Sequence, residues 1–106
     1  MTEDRASAIC RALSHPVRRE LLSGLLGGEC DVSYMTDNSG VGQPTVSKHL
    51  AMLRQAGLVT VRVDGRRRCY SLAQPEVVLQ LLELLRKLEA GETVSGEPVS
   101  GERDAS

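Results

Sequence analysis

The chain has 106 residues, a net charge of −1, and two tyrosines as its only aromatic residues besides histidine. This length fits one small domain with an aliphatic core, and no apolar run reaches the roughly 18 residues that a membrane span requires. The charged start MTEDRASAIC lacks the apolar stretch of a signal peptide. We therefore expect a cytoplasmic protein with no membrane partner.

The first third of the chain predicts two helices. In residues 3–13 the apolar residues recur at helical spacing and should form one buried face: Ala6, Ile9, Cys10 and Leu13. Ser14 is expected to cap a second helix, because Pro16 suits a first helical turn. The glycine pair at 27–28 should end that helix.

The middle of the chain predicts a helix-turn-helix. Asp31 can cap a short helix over residues 32–39, and a glycine-containing turn follows at 39–42. Pro44 then opens a helix to about Gln55, with an apolar stripe at Val46, Leu50 and Leu53. The second helix of such a unit can lie in the major groove with its first polar side chains at base edges. The residues expected there are Gln43, Thr45, Ser47, Lys48 and His49.

After this helix the pattern changes to a hairpin. Residues 58–63 alternate and are β-branched, Asp64-Gly65 is a strong hairpin signal, and residues 66–72 can return as a second strand. The stretch 43–68 has a single acid, Asp64, against six basic residues, which predicts a surface for phosphates. The basic residues expected to contact DNA are Lys48, Arg54, Arg62, Arg66, Arg67 and Arg68.

The last helix opens at Pro75 and has more apolar surface than one small core needs. From residue 91 onward the chain is rich in Gly, Ser, Glu and Pro, which predicts a disordered acidic tail. We expect a domain over residues 1–90 and a tail over 91–106. The fold class is mainly α with a small β-hairpin wing (α+β): a winged helix-turn-helix with four helices, two strands and a fifth helix.

Two segments resemble the ArsR/SmtB-type family of winged-helix repressors: ALSHPVRRELLSGL at 12–25 and QPTVSKHLAMLRQAGLVTVRVDGRRRCYSL at 43–72. The resemblance implies a homodimer paired through the first and last helices and bound to a palindromic operator in double-stranded DNA. It also implies repression that a metal, a metalloid or an oxidant relieves. The residues expected at the dimer interface are Ile9, Leu13, Val78, Leu81, Leu82 and Leu85.

The two metal sites common among such relatives are not evident in the sequence. The positions of their Cys-x-Cys-Asp pattern hold Asp31, Val32, Ser33 and Tyr34 here, and residues 75–90 contain no His or Asp for a zinc site on the last helix. A transition metal or metalloid stays open as a cofactor, with four candidate ligands: Cys10, Cys30, Asp31 and His15. The acids beside Cys30 should raise the pKa of its thiol. Three cysteines far apart in the sequence do not indicate a disulfide framework.

The main hypothesis is a dimeric, sequence-specific repressor that a metal, metalloid or thiol-reactive signal releases from DNA. The alternative is a winged-helix interaction module that binds a partner protein through its last helix or acidic tail and binds DNA weakly. No paired-carboxylate, nucleophile–base or phosphate-loop pattern supports an enzyme.

Overall fold

The computed structural model describes residues 4–91, apart from the side chains of residues 38 and 39. Five helices and three strands follow one another in this part of the chain: α1 (Arg5–Leu13), α2 (Pro16–Leu25), β1 (Cys30–Asp31), α3 (Val32–Ser39), α4 (Gln43–Gln55), β2 (Val59–Asp64), β3 (Arg67–Leu72) and α5 (Pro75–Ala90). The predicted element order is confirmed, with one additional strand. None of these helices is long and apolar enough to cross a bilayer.

The additional strand, β1, turns the predicted hairpin into a three-stranded antiparallel sheet of order β1-β3-β2. It pairs with β3 in the register Cys30 to Tyr70 and Asp31 to Cys69. A strand of two residues has no alternation for a sequence pattern to reveal, so the expectation of two strands was incomplete. The pairing attaches the hairpin to the segment that leads into α3.

The hairpin turn lies one residue later than the sequence signal suggested. Asp64 pairs with Arg67, so Gly65 and Arg66 form the two-residue loop. Gly65 has φ +64°, a left-handed conformation that glycine adopts without a steric penalty at the first loop position. Arg66 therefore stands at the tip of the hairpin rather than at the start of the returning strand.

The boundary between α1 and α2 also corrects the sequence prediction. Ser14 ends α1, where its hydroxyl donates to the Arg11 carbonyl at 2.7 Å. The cap of α2 is His15, whose Nδ1 accepts from the backbone N–H of Val17 at 3.1 Å. Pro16 occupies the first turn of α2, so the capping position falls on the residue directly before it.

The core lies between α2, α4 and the sheet. Leu22, Val46, Leu50 and Leu53 are fully buried, and three of these four belong to α4. The inner face of α1 differs from the predicted one, since its buried residue is Ala12 and its half-buried residues are Ala8, Ile9 and Leu13. Ala6 and Cys10 are exposed, so the expectation of a buried Cys10 was wrong.

Helix α5 has apolar residues on two sides. Val78 is buried in the core and Leu82 packs against it, so the expectation that Val78 lies at a dimer interface was wrong. A second stripe at spacing i, i+4, i+7 and i+11 is largely uncovered by the rest of the described chain; we call it the α5 apolar face: Val77, Leu81, Leu84 and Leu88. Leu88 is 75% exposed and Val77 53% exposed, whereas Leu81, like Leu85 beside the stripe, is half-buried.

Beyond α5, Gly91 is the C-cap of the helix, and the predicted acidic tail otherwise lies outside the described residues.

Replacing Gly57 with alanine is expected to lower the free energy of unfolding by about 2 kcal/mol. Gly57 follows α4 with φ +82°, which costs a β-carbon about 1 kcal/mol. A β-carbon there would also lie 2.0 Å from the Arg5 guanidinium and displace it from the Ala56 carbonyl, a bond worth about 1 kcal/mol. Urea unfolding at one protein concentration measures the loss.

The matched control is Gly40→Ala. Gly40 has φ +80°, but a β-carbon added there would meet no atom of the described residues within 4 Å, its chain neighbours aside. This variant should therefore lose only the roughly 1 kcal/mol of backbone strain. Equal losses in the two variants would show that the Arg5 contact contributes nothing to stability.

Candidate nucleic-acid interface

Helix α4 is held by one buried face and leaves its polar side exposed. Its N-cap is Gly42, and Pro44 occupies the first turn. Because Val46, Leu50 and Leu53 point into the core, most of the remaining positions face outward. Exposed side chains on this helix include the following predicted DNA-contacting residues: Gln43, Thr45, Ser47, Lys48 and Arg54. We call α4 the recognition helix.

The hairpin of β2 and β3, which we call the wing, lies beside the start of the recognition helix. A cleft of about 250 Å³ is lined by Gln43 and Ser47 from the helix, by Ser33 from α3, and by the arginines at 66–68 from the wing. A neighbouring cleft joins Ser47 to Arg54 and Arg68. The structure thus brings the polar start of the recognition helix and the basic wing onto one surface.

Two of the wing arginines are already paired with acids of the same chain. Arg62 donates from Nε and Nη2 to the two carboxylate oxygens of Glu29, at 3.1 and 2.7 Å. Arg67 lies 3.3 Å from the Asp31 carboxylate. These pairs connect the wing to the segment before α3, and the Arg62 hydrogen bonds lower the pKa of Glu29.

The other basic side chains of this surface are available to a ligand. Arg66, Arg68, Lys48 and Arg54 are exposed, and their side chains make no hydrogen bond or ion pair with other residues in the described part of the chain. A guanidinium or ammonium group without an internal acid is the group that phosphate oxygens can pair with. The sequence alone treated all six basic residues alike, whereas the structure separates them into paired and unpaired groups.

His49 does not belong to the exposed polar side of the recognition helix. Its half-buried ring faces α2, where Nδ1 lies 3.2 Å from an Arg18 guanidinium nitrogen. The His15 ring is 4.5 Å away, centroid to centroid. Burial and the charges of His15 and Arg18 lower the pKa of His49 from its ordinary value of 6.5. The structure therefore separates His49 from the other predicted base-contacting residues.

The candidate metal ligands are not brought together. Cys10 is exposed on α1 and Cys30 is half-buried on β1. Asp31 caps α3 by accepting from the Tyr34 N–H, and His15 caps α2 through Nδ1. In residues 4–91 no three side chains of His, Cys, Asp or Glu cluster to hold a metal ion, so this donor set does not fit a metal site within one chain.

The pKa of Cys30 moves in the predicted direction. It is raised by burial and then by the charges of Asp31 and Glu29, which keeps the thiol protonated and lowers its nucleophilicity at neutral pH.

The sequence patterns did not identify Arg18 or Glu29 as residues that shape this surface. They indicated a role for Asp31 but did not predict its ion pair with Arg67. Arg18 does have a detectable signal, because it shares helical spacing with Leu21, Leu22 and Leu25 and so lies on the apolar face of α2. Glu29 has no comparable signal, since its partner Arg62 is 33 positions away.

Glu29→Gln is expected to strengthen binding to any DNA duplex by about three-fold for each subunit that contacts the DNA, and to steepen the salt dependence. The change removes the closer of the two ion pairs of Arg62 and leaves only its 3.6 Å contact with Asp64, and an exposed pair with phosphate contributes about 0.5–1 kcal/mol. Fluorescence anisotropy with a random-sequence duplex at several salt concentrations measures both effects. Glu83→Gln, an identical change on α5, is the control. Unchanged or weaker binding of Glu29→Gln alone would mean that Arg62 does not reach the DNA.

A helix-turn-helix with a basic hairpin beside its second helix defines a winged helix-turn-helix DNA-binding protein. Residues 15–61 match the family model described as bacterial regulatory protein, arsR family. The chain belongs to this arsR family, and it is a DNA-binding transcriptional regulator and not an enzyme.

Individual relatives agree with this assignment. The chain is 38% identical over 87 residues to a probable mercury resistance operon repressor of Streptomyces lividans, covering 82% of this chain and 69% of that protein. It is 35% identical over 106 residues to the HTH-type transcriptional regulator CmtR of Mycobacterium bovis, covering 100% of this chain and 88% of that protein.

A solved structure extends the agreement to the fold. The solution structure of a homodimeric winged helix-turn-helix DNA-binding domain from Mycobacterium bovis, a possible ArsR-family regulator, superposes with a TM-score of 0.72 at 30% identity. The match covers 82% of this chain and 80% of that one.

Proposed function

We propose that this chain works as a homodimer that binds a palindromic operator and represses transcription. The observation that supports this best is the shared surface of the recognition helix and the wing, where Gln43 and Ser47 line the same cleft as the arginines at 66–68. A recognition helix in the major groove and a wing on the adjacent backbone would use both parts of this surface at once.

The side chains divide into two roles in this proposal. Gln43, Thr45 and Ser47 read base edges, because amide and hydroxyl groups can both donate and accept hydrogen bonds there. The unpaired cations bind phosphates: Lys48, Arg54, Arg66 and Arg68. Arg62 and Arg67 mainly hold the wing in place through Glu29 and Asp31.

The α5 apolar face is the proposed dimer interface, extended by Ile9 and Leu13 of α1. An apolar stripe that the same chain leaves exposed is typical of an interface. The solved relative from Mycobacterium bovis is itself homodimeric, which supports dimer formation by this chain. A two-fold dimer presents two recognition helices and therefore favours a palindromic site.

Repression is proposed partly from the Streptomyces lividans relative, which is named a probable mercury resistance operon repressor. The signal is a metal, a metalloid or a thiol-reactive compound, and Cys10 is the most exposed of the three thiols. Mercuric ion, arsenite, zinc and peroxide, each added to the protein–DNA complex, test these classes. Release that persists when all three cysteines are serine excludes thiol sensing. A protein that acts at a bacterial promoter works in the cytoplasm, which is the location we propose. The binding of a partner protein to the acidic tail stays a prediction.

The experiment that tests the proposed function is selection of binding sites from a random duplex pool with the purified protein. We expect an enriched sequence with two-fold symmetry, protected by one dimer. Gln43→Ala should change the selected bases, whereas Lys48→Ala should weaken binding to all sequences without changing them. A pool without enrichment, or an enriched site with no symmetry, would overturn the proposal.

A further inference from the structure

A buried guanidinium connects α1 and α2 to the recognition helix. Arg18 is 8% exposed, and it is the buried charged residue of the part of the chain that the structure describes. Its Nε donates to the Ala12 carbonyl at 2.7 Å and Nη2 donates to the Arg11 carbonyl at 2.9 Å. The third contact, at 3.2 Å, joins Nη1 to Nδ1 of His49. These three acceptors are two backbone carbonyls and one imidazole.

This arrangement constrains the orientation of the recognition helix. A buried charge is costly unless its hydrogen bonds are satisfied, so the acceptors must stay where the guanidinium can reach them. Two of the acceptors belong to the last turn of α1, and the third belongs to the middle of α4. Arg18 therefore holds the recognition helix at one position relative to α1 and α2.

The contact from Arg18 to His49 requires a neutral imidazole. A guanidinium can only donate, so Nδ1 of His49 must accept, whereas both nitrogens of a protonated imidazole are donors. Protonation would also place a second positive charge 3.2 Å from the guanidinium. The charged or titratable groups that face the His49 ring are Arg18 and His15, both basic, and no carboxylate of the described residues is among them to stabilise a protonated form.

We propose that Arg18 is a positioning residue for DNA recognition and that protonation of His49 breaks its contact, so that acidification weakens binding to the specific DNA site. The inference rests on the proposed reading of bases by the recognition helix. It assigns His49 a role inside the protein, in place of the predicted contact with DNA. The expected change in DNA affinity is also opposite to that of simple electrostatics, in which a histidine that gains positive charge makes the protein bind DNA more tightly.

The pKa of His49 supports this direction. Burial is the largest cause of its lowering, and the charges of His15 and Arg18 act in the same sense. Because the pKa in the folded chain is below the ordinary 6.5, the unfolded chain takes up this proton first. The contribution to stability is therefore complete above pH 6.5 and is lost as the pH falls through the folded-state pKa.

The test uses fluorescence anisotropy with two duplexes, the sequence selected at about pH 7.5 and a scrambled version of it. Each is titrated at about pH 7.5 and at the lowest pH at which the protein stays folded. Wild-type protein should lose about ten-fold in affinity for the selected duplex at the lower pH, the effect of one lost hydrogen bond to a charged group. Binding to the scrambled duplex should not weaken. Circular dichroism at both pH values verifies that the protein stays folded.

Three variants identify the residue that causes the pH dependence of DNA binding. His49→Gln keeps an acceptor for Arg18 but does not titrate, so its affinities at the two pH values should differ by less than about two-fold. His15→Asn, which keeps a capping side chain, should retain the full pH effect. Arg18→Lys keeps the charge but loses the planar geometry, so its preference for the selected duplex should fall at both pH values.

The outcomes separate the two proposals. Failure of wild-type protein to prefer the selected duplex at about pH 7.5 would refute the proposed function itself. A normal preference that is unchanged or stronger at the lower pH, or a pH effect that persists in His49→Gln, would overturn this inference alone. Should Arg18→Lys not fold, the comparison of His49→Gln with His15→Asn still decides.

Discussion

Replacing both Arg66 and Arg68 with alanine is expected to weaken binding to every DNA sequence and to flatten the dependence of that binding on salt. Both side chains are exposed on the wing and form no ion pair with the described residues of their own chain. They line the clefts beside Gln43, Ser47 and Arg54, so they lie where the backbone next to a bound groove would pass. Phosphate contacts position a protein on DNA without selecting its sequence.

The size of the effect follows from the number of phosphates involved. Two arginines in each of two subunits would remove four contacts from the proposed homodimer. The slope of log affinity against log salt should then fall by about 3 to 4. At about 0.5–1 kcal/mol for each exposed ion pair, the affinity should drop by roughly thirty- to thousand-fold.

The matched control is Arg86→Ala, which removes an exposed arginine of α5, away from the wing. It should leave the salt slope of the wild-type protein in place. Titrations of the selected and the scrambled duplex at several salt concentrations make the comparison. A slope for the double variant within error of the wild type would show that the wing does not contact the DNA backbone.

The second large effect is expected from Leu84→Glu, which should convert the proposed homodimer into monomers. Leu84 is 48% exposed in the single chain and lies in the middle of the α5 apolar face, between Val77 and Leu88. If this face packs against a second copy, each dimer contains the substitution twice. Each carboxylate would be buried without a partner, which is far more costly than the loss of apolar contact alone.

The dimer contains two copies of Leu84, and the loss of each costs about 1.5 kcal/mol or more of association free energy. The dissociation constant of the dimer should therefore rise at least about a hundred-fold. Analytical ultracentrifugation at micromolar protein measures this change. DNA binding should weaken in parallel, because a monomer engages one half-site only.

Leu79→Glu is the control, with the same chemical change on the same helix. Leu79 is 42% exposed, but it lies across the helix from Leu84, beside α2. This variant should remain dimeric. A dimeric Leu84→Glu protein, or a monomeric Leu79→Glu protein, would assign the interface to a different face of α5.

The helices and the wing could be predicted because their signals are local. The bounds of α3, residues 32–39, and of α4, residues 43–55, agree with the structure, since a capping aspartate and a first-turn proline mark their starts. The change from helical to alternating spacing marks the wing in the same way. The hairpin loop was displaced by one residue because the glycine must occupy its first position.

The orientation of side chains toward other elements could not be predicted to the same degree. Val78 and Leu84 belong to one leucine-rich helix, yet the first is 3% exposed and the second 48%. Hydrophobic spacing shows that a face is apolar and does not show which element covers it. For the same reason His49 was expected at the DNA, although α2 lies against its ring.

The order of elements, the helix-turn-helix and the basic hairpin can be predicted from the residues alone, because each depends on residues that are close together along the chain. The packing of the elements in space establishes which cations are neutralised, which leucines of α5 stay exposed, and that Arg18 contacts His49 of the recognition helix. Those properties depend on pairs such as Glu29 with Arg62 and Arg18 with His49, which are 33 and 31 positions apart. Electrostatic and packing energies depend on distance in space, and the fold alone brings such residues within hydrogen-bonding distance.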